Sequence, residues 1–149
     1  MRASEPRAPV SELRTRRRVE FADTDMGGIV HFSRFFVFME TAEHELLAEA
    51  GTSVHFHHEG ELVGFPRLSA SCDYRSPARL GDLLEIHVRV ARKGRSSLAY
   101  DFTFHCGERL VARGRLASVC CVLGGERLRP IPIPPSLAER LAEAEGAGG

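Results

Sequence analysis

Apolar and polar positions alternate along most of this chain, and one stretch switches to a spacing of three and four. Leu84, Ile86, Val88 and Val90 alternate with Glu85, His87 and Arg89, which predicts a strand with one wet face. Lys93-Gly94-Arg95 turns the chain, and Leu98, Tyr100, Phe102 and Phe104 alternate again. Gly107-Glu108 turns it once more into a strand from Arg109 to Leu123. Upstream, Leu62 to Arg75 reads as one long strand bent at Pro66, and residues 11–21 read as a first strand. Between them Phe32, Phe35, Phe36, Met39, Ala42, Leu46, Leu47 and Ala50 recur at helical steps and share one face. The spacing predicts a helix from Ser33 to Ala50, with Ser33 as N-cap and Gly51 as the stop. Thr52 to Glu61, with His55, His57 and His58, reads as a solvent-facing loop.

The order is therefore strand, long helix, then four strands, three of them joined by hairpins and so antiparallel. A single long apolar helix must bury its face, and a curved antiparallel sheet is the available partner. The expected fold class is α+β, with the sheet wrapped around one central helix. Residues 1–10 read as a disordered tail and residues 11–124 as the domain. Residues 125–149 form a Pro-rich extension, broken by Pro130, Pro132, Pro134 and Pro135, with a short helix from Leu137 to Ala144.

Composition narrows the partners. The formal net charge is +0, so no global field attracts nucleic acid or anionic lipid. Arg14, Arg16, Arg17 and Arg18 read as the solvent face of an edge strand rather than a nucleic-acid patch. Cys72, Cys106, Cys120 and Cys121 form no C-x-x-C pair and read as small buried hydrophobes in a reducing compartment. No apolar run approaches the roughly 20 residues that cross a membrane, and residues 1–9 lack the apolar core of a secretory signal. The expectation is a cytoplasmic protein with no membrane span, no metal and no cofactor.

The chemistry concentrates in Phe21-Ala22-Asp23-Thr24-Asp25-Met26-Gly27-Gly28-Ile29-Val30-His31-Phe32. This stretch places carboxylates and a Gly-Gly loop between a strand and a helix start. Backbone N–H groups there can hold a developing oxyanion while a carboxylate handles water. Asp23 reads as a loop-ordering residue. Gly27 and Gly28 let the backbone approach a substrate with no Cβ in the way. Glu43 falls within the apolar stripe of the helix, which is costly without a partner.

These residues resemble a known family. The succession Phe-x-Asp-x-Asp-x-x-Gly-Ile-Val, then Met39-Glu40, then Asp73-Tyr74-Arg75-Ser76-Pro77-Ala78-Arg79-Leu80-Gly81-Asp82, then Gly94-Arg95-Ser96-Ser97-Leu98, is similar to the hotdog-fold acyl-CoA thioesterases of the 4-hydroxybenzoyl-CoA thioesterase and Tol–Pal-associated type. The likeness covers roughly residues 13–124. It implies hydrolysis of an acyl-CoA substrate at a dimer interface, in a homodimer or homotetramer. Burying exposed sheet edges across a two-fold axis is a physical motive for the same assembly. It implies that Asp25 is the catalytic carboxylate, as general base on water or as nucleophile forming an anhydride. It implies that the Phe32 backbone N–H polarises the carbonyl beside Gly28, that Glu43, a carboxylate on the helix, is a backup catalyst, and that Arg95, Ser96 and Ser97 hold the CoA moiety.

The chain departs from the Tol–Pal relatives at two places. Phe21 and Phe32 stand where those carry a Tyr and a His, which makes the cleft more apolar. His31 lies one position before the histidine's place, so a direct catalytic role does not carry over with it. As a candidate site residue it keeps open a hydroxyacyl-thioester dehydratase, which needs an acid and a His across the cleft. A non-catalytic acyl-CoA binding protein is the third reading, because fold alone does not give function.

Overall fold

The computed structural model describes residues 8–147; the expected tail falls mostly on residues outside that range. Five strands form one antiparallel sheet: β1 (Glu12–Arg18), β4 (Arg67–Tyr74), β5 (Leu83–Lys93), β6 (Ser97–Cys106) and β7 (Arg109–Val119), in the order β1-β5-β6-β7-β4. The helix α1 (Arg34–Glu49) lies against the sheet's inner face. Its Phe35, Phe38, Met39, Ala42, Leu46 and Leu47 are buried against Leu84, Ile86, Val88, Val90, Leu98, Tyr100, Phe102, Phe104 and Leu116. This is the α+β arrangement that the alternation dictates: period-two strands offer one apolar face, and a period-3.6 stripe covers it.

The helix stripe differs from its sequence reading at the N-terminal end. Phe38 is fully buried, whereas Phe32 is 62% exposed and lies before the first turn. Ser33 does not cap the helix, since its backbone is already helical and its hydroxyl meets His31. Gly51 closes the helix at φ 78, a left-handed conformation that favours glycine.

Three further departures have local causes. Thr52 to Glu61 is not a loop throughout: β2 (His55–His58) pairs with β3 (Glu61–Gly64) through Glu59 and Gly60, both at positive φ, as a tight hairpin turn requires. The long strand expected from Leu62 divides at Phe65-Pro66, because β3 belongs to a second, four-stranded sheet and β4 to the first. That second sheet runs β2-β3-β8-β9, with β8 (Cys121–Val122) and β9 (Arg129–Pro130). The last strand expected likewise changes sheet after Val119. Arg17 is not on the solvent face either: its guanidinium lies 4.7 Å from the Phe38 ring centre and 3.6 Å from the Asp23 carboxylate.

The C-terminal extension folds back onto the domain. Its helix α2 spans Pro135–Ala138, shorter than the Leu137–Ala144 expected, and Leu137 and Leu141 lie in the core. Lys93 Nζ donates to the Ala138 and Leu141 carbonyls at 2.8 Å each, satisfying acceptors that the helix end leaves over.

Gly114 marks the close approach of helix and sheet. A Cβ there would run into the Met39 sulfur and sit 3.2 Å from the Ser71 carbonyl. Met39 is fully buried and has little room to yield. Gly114→Ala is therefore expected to lower stability by about 1–3 kcal/mol through overpacking. Thermal unfolding checks this, and an unchanged midpoint contradicts the packing described.

Candidate active site

The loop between β1 and α1 is built around a buried acid. Asp23 is 1% exposed, and every oxygen of its carboxylate is engaged. Oδ2 accepts the Glu20 N–H at 2.8 Å, and Oδ1 accepts Arg34 Nε at 2.9 Å and Nη2 at 2.8 Å. Its main-chain carbonyl accepts the His31 N–H at 2.8 Å. A charge this buried is stable only when paired, and here the pairing ties the loop's two ends together.

Asp25 is placed differently. It is exposed, and its Oδ1 accepts the Gly27 N–H at 2.8 Å in a tight Asx turn. Gly28, at φ 74, donates to the Asp25 carbonyl at 3.0 Å and so closes the loop. The Asp25 N–H donates to the Ile29 carbonyl, and the Val30 N–H to the Ala78 carbonyl. The second of these bonds, with the bridge between Ile29 and Arg79, leans the loop on residues 77–79. Asp25 then borders a cavity of about 540 Å³ with Ile29, Val30, Phe32, Phe35 and Tyr74, and with Arg75 to Ala78 on the other side.

Phe32 borders the same cavity. The His31–Phe32 peptide is held by its carbonyl, which accepts the Arg34 N–H at 2.9 Å inside the first turn. In a trans peptide the N–H points opposite to the carbonyl. The Phe32 N–H therefore faces away from the helix, and among the described residues it has no hydrogen-bond acceptor. A donor without a partner, at the positive end of a 16-residue helix, is suited to a developing negative charge.

Tyr74 was not among the site candidates, yet its hydroxyl donates to the Phe32 carbonyl at 2.8 Å. The sequence hid this contact because the two residues are 42 positions apart. Burial, and then the neighbouring Cys72, push the Tyr74 hydroxyl up to about 12. Burial pushes the Cys72 thiol up to about 11.

The other candidates lie elsewhere. His31 does not border the cavity: its Nδ1 sits 2.7 Å from Ser33 Oγ, and its ring stacks on Phe32 at 4.6 Å. Within one protomer the imidazole is therefore not brought to the cavity that Asp25 borders. Glu43 is 2% exposed and held bidentately by Arg67, with both contacts at 2.7 Å. Arg67 also donates to Ser118 Oγ at 2.9 Å, and the Glu43 contact raises its pKa further. A carboxylate so committed is a structural partner, and the structure does not bring it to Asp25. Arg95 and Ser96 lie in the β5–β6 turn, and Ser97 opens β6. Asp25 follows β1, whose end pairs with the start of β5, so the turn lies roughly 30 Å away along the strand. His55 and His57 share one face of β2 and His58 the other, and no metal-binding cluster occurs among the described residues.

Comparison with known proteins places this loop in context. Residues 19–141 match the model of the thioesterase-like superfamily. The chain belongs to that superfamily. It is thereby placed among thioester hydrolases, and its architecture is the hotdog fold. A 1,4-dihydroxy-2-naphthoyl-CoA hydrolase of Synechococcus sp. (strain CC9605) is 31% identical over 130 residues, covering 84% of this chain and 86% of the relative. The acyl-CoA thioester hydrolase YbgC of Escherichia coli O157:H7 is 29% identical over 123 residues, covering 80% and 88%. The crystal structure of a 1,4-dihydroxy-2-naphthoyl-CoA thioesterase from Synechocystis superposes with a TM-score of 0.73 at 26% identity, covering 84% of this chain and 91% of that one. No helix of the described residues in this superfamily member is long and apolar enough to cross a membrane.

Proposed function

We propose that the protein hydrolyses an acyl-CoA thioester to the free acid and CoA, with Asp25 as its catalytic carboxylate. The observation that carries this is that one cavity is bordered by the exposed Asp25 and by Phe32, whose N–H has no partner among the described residues. A thioester needs an activated oxygen nucleophile and charge stabilisation at its carbonyl, and CoA thiolate leaves without a strong acid. Water adds to the carbonyl carbon as Asp25 takes its proton, or Asp25 itself attacks and water opens the resulting anhydride. In either route the oxyanion forms beside the Phe32 N–H, where one donor is worth about 2.7–4 kcal/mol. Substrate, water and protein supply every atom, so no cofactor is invoked.

The cavity wall of Ile29, Val30, Phe32, Phe35, Tyr74, Pro77 and Ala78 favours an apolar acyl group. The 1,4-dihydroxy-2-naphthoyl group named for the relatives belongs on the test panel. The working unit is a homodimer or a homotetramer. Strand β4 has a free edge, and Phe21, Met26, Phe32, Leu68 and Leu80 are exposed apolar side chains that a second copy would cover. The same assembly is needed for Arg95, Ser96 and Ser97 to serve as the CoA site, since within one protomer they lie far from Asp25. Four free thiols fit the cytoplasm.

The test is release of free thiol from acetyl-, palmitoyl-, benzoyl- and 1,4-dihydroxy-2-naphthoyl-CoA. Turnover of at least one ester is expected, and turnover of none contradicts the proposal. Arg95→Ala is expected to raise KM for the accepted ester about 3–10-fold with kcat nearly intact, the pattern of a lost ground-state contact. A fall in kcat at unchanged KM would reject that role.

A further inference from the structure

We propose that Tyr74 is a positioning residue for this hydrolysis, fixing the direction of the Phe32 N–H by holding the Phe32 carbonyl. The inference rests on the thioesterase reading and adds to it a residue outside the loop and helix. Three successive peptide groups run through the turn before α1. The first is held at the His31 N–H by the Asp23 carbonyl, at 2.8 Å. The second, which carries the Phe32 N–H, is held at the His31 carbonyl by the Arg34 N–H, at 2.9 Å. The third, with the Phe32 carbonyl, lies outside the helix ladder. Among the described residues Tyr74 is its only hydrogen-bond donor, at 2.8 Å. On the amide side of that third peptide, Ser33 N–H reaches only His31 Nδ1, at 3.3 Å.

Only the φ and ψ of Phe32 separate the second peptide from the third. Without Tyr74 the second peptide is held at the His31 carbonyl alone, and the Phe32 N–H can tilt as the third peptide rocks. An oxyanion donor works only when it stands about 2.7–3.1 Å from where the charge develops. Tyr74 is itself well fixed. It ends β4 on the sheet's helix-facing side, and its ring stands edge-on to Phe35 at 5.3 Å, which in turn stands edge-on to Phe104 at 5.3 Å. Its hydroxyl keeps its proton through the neutral range, so it remains a donor.

The test compares wild type with Tyr74→Phe, which keeps the ring and its packing and removes only the hydroxyl. On an ester that the wild type hydrolyses, kcat is expected to fall about 10-fold with KM within about 2-fold, because the donor is misaimed rather than removed. A second readout is the thioester carbonyl stretch of benzoyl-CoA bound to Asp25→Asn and to Asp25→Asn with Tyr74→Phe. The polarising shift to lower frequency is expected in the first and should shrink in the second. Wild-type kcat in Tyr74→Phe overturns the inference while leaving the thioesterase reading intact. So does a kcat loss with an unchanged carbonyl shift, which would mark a merely structural role. A wild type that turns over no ester overturns both.

Discussion

Glu43→Ala is expected to unfold at a midpoint roughly 6–12 °C below wild type, from a loss of about 3 kcal/mol. The reason is the partner left behind. Arg67 gives both terminal nitrogens to Glu43, one of them also to Ser118, and reaches Glu40 at 3.5 Å. Removing the carboxylate leaves a half-buried guanidinium whose main counter-charge is gone, because Glu40 is farther off and exposed. The Arg67 side chain is 29% exposed, so the cost belongs at the low end for a broken buried pair. Glu43→Gln keeps the shape and part of the hydrogen bonding, and should lose less. Its kcat should stay within a few-fold of wild type, because Glu43 does not border the cavity with Asp25. A Glu43→Gln enzyme that folds normally but has lost its turnover would return Glu43 to the chemistry.

Asp25→Asn should lower kcat by about 10³-fold, the scale of a lost general base or nucleophile. Substrate binding should change little. The Asn side-chain carbonyl can still accept the Gly27 N–H that Asp25 Oδ1 accepts now, so the loop keeps its turn. The Phe32 N–H is a main-chain group fixed by other bonds, and it remains to bind the carbonyl. Binding without turnover is therefore the expected phenotype, measured by calorimetry with benzoyl-CoA beside a thiol-release assay. Weakened binding in proportion to the lost rate would instead mean a collapsed loop.

Local periodicity carried much of the fold. The alternation from Leu84 to Val90 and from Leu98 to Phe104 names β5 and β6, which extend one to three residues past it, because each strand has one buried and one wet face. The helix ends are within one residue of Ser33 and Ala50, because Gly51 takes a positive φ there. The hairpin of β2 and β3 was harder to read. His55, His57 and His58 look like loop residues, although Val54, Phe56 and His58 alternate with His55 and His57 toward a Glu59-Gly60 turn. Phe32 fitted the helical stripe by angle, but the helix begins two residues later and its ring falls outside the core.

The candidate site divides the same way. Asp25 and Gly28 stand out in the sequence because they share one short loop of acids and glycines, whereas the family resemblance points to the Phe32 N–H. The partners that fix them do not stand out. Arg34 reaches back 11 positions to Asp23, Arg67 lies 24 positions from Glu43, and Tyr74 lies 42 from Phe32. Such pairs follow from strand order rather than from any local pattern.

Thiol release from the acyl-CoA panel, followed side by side for wild type and Asp25→Asn, tests the central claim most directly. Turnover by the wild type and its near-complete loss in the variant is the expected result. Equal turnover by both proteins, or none by the wild type, would contradict it.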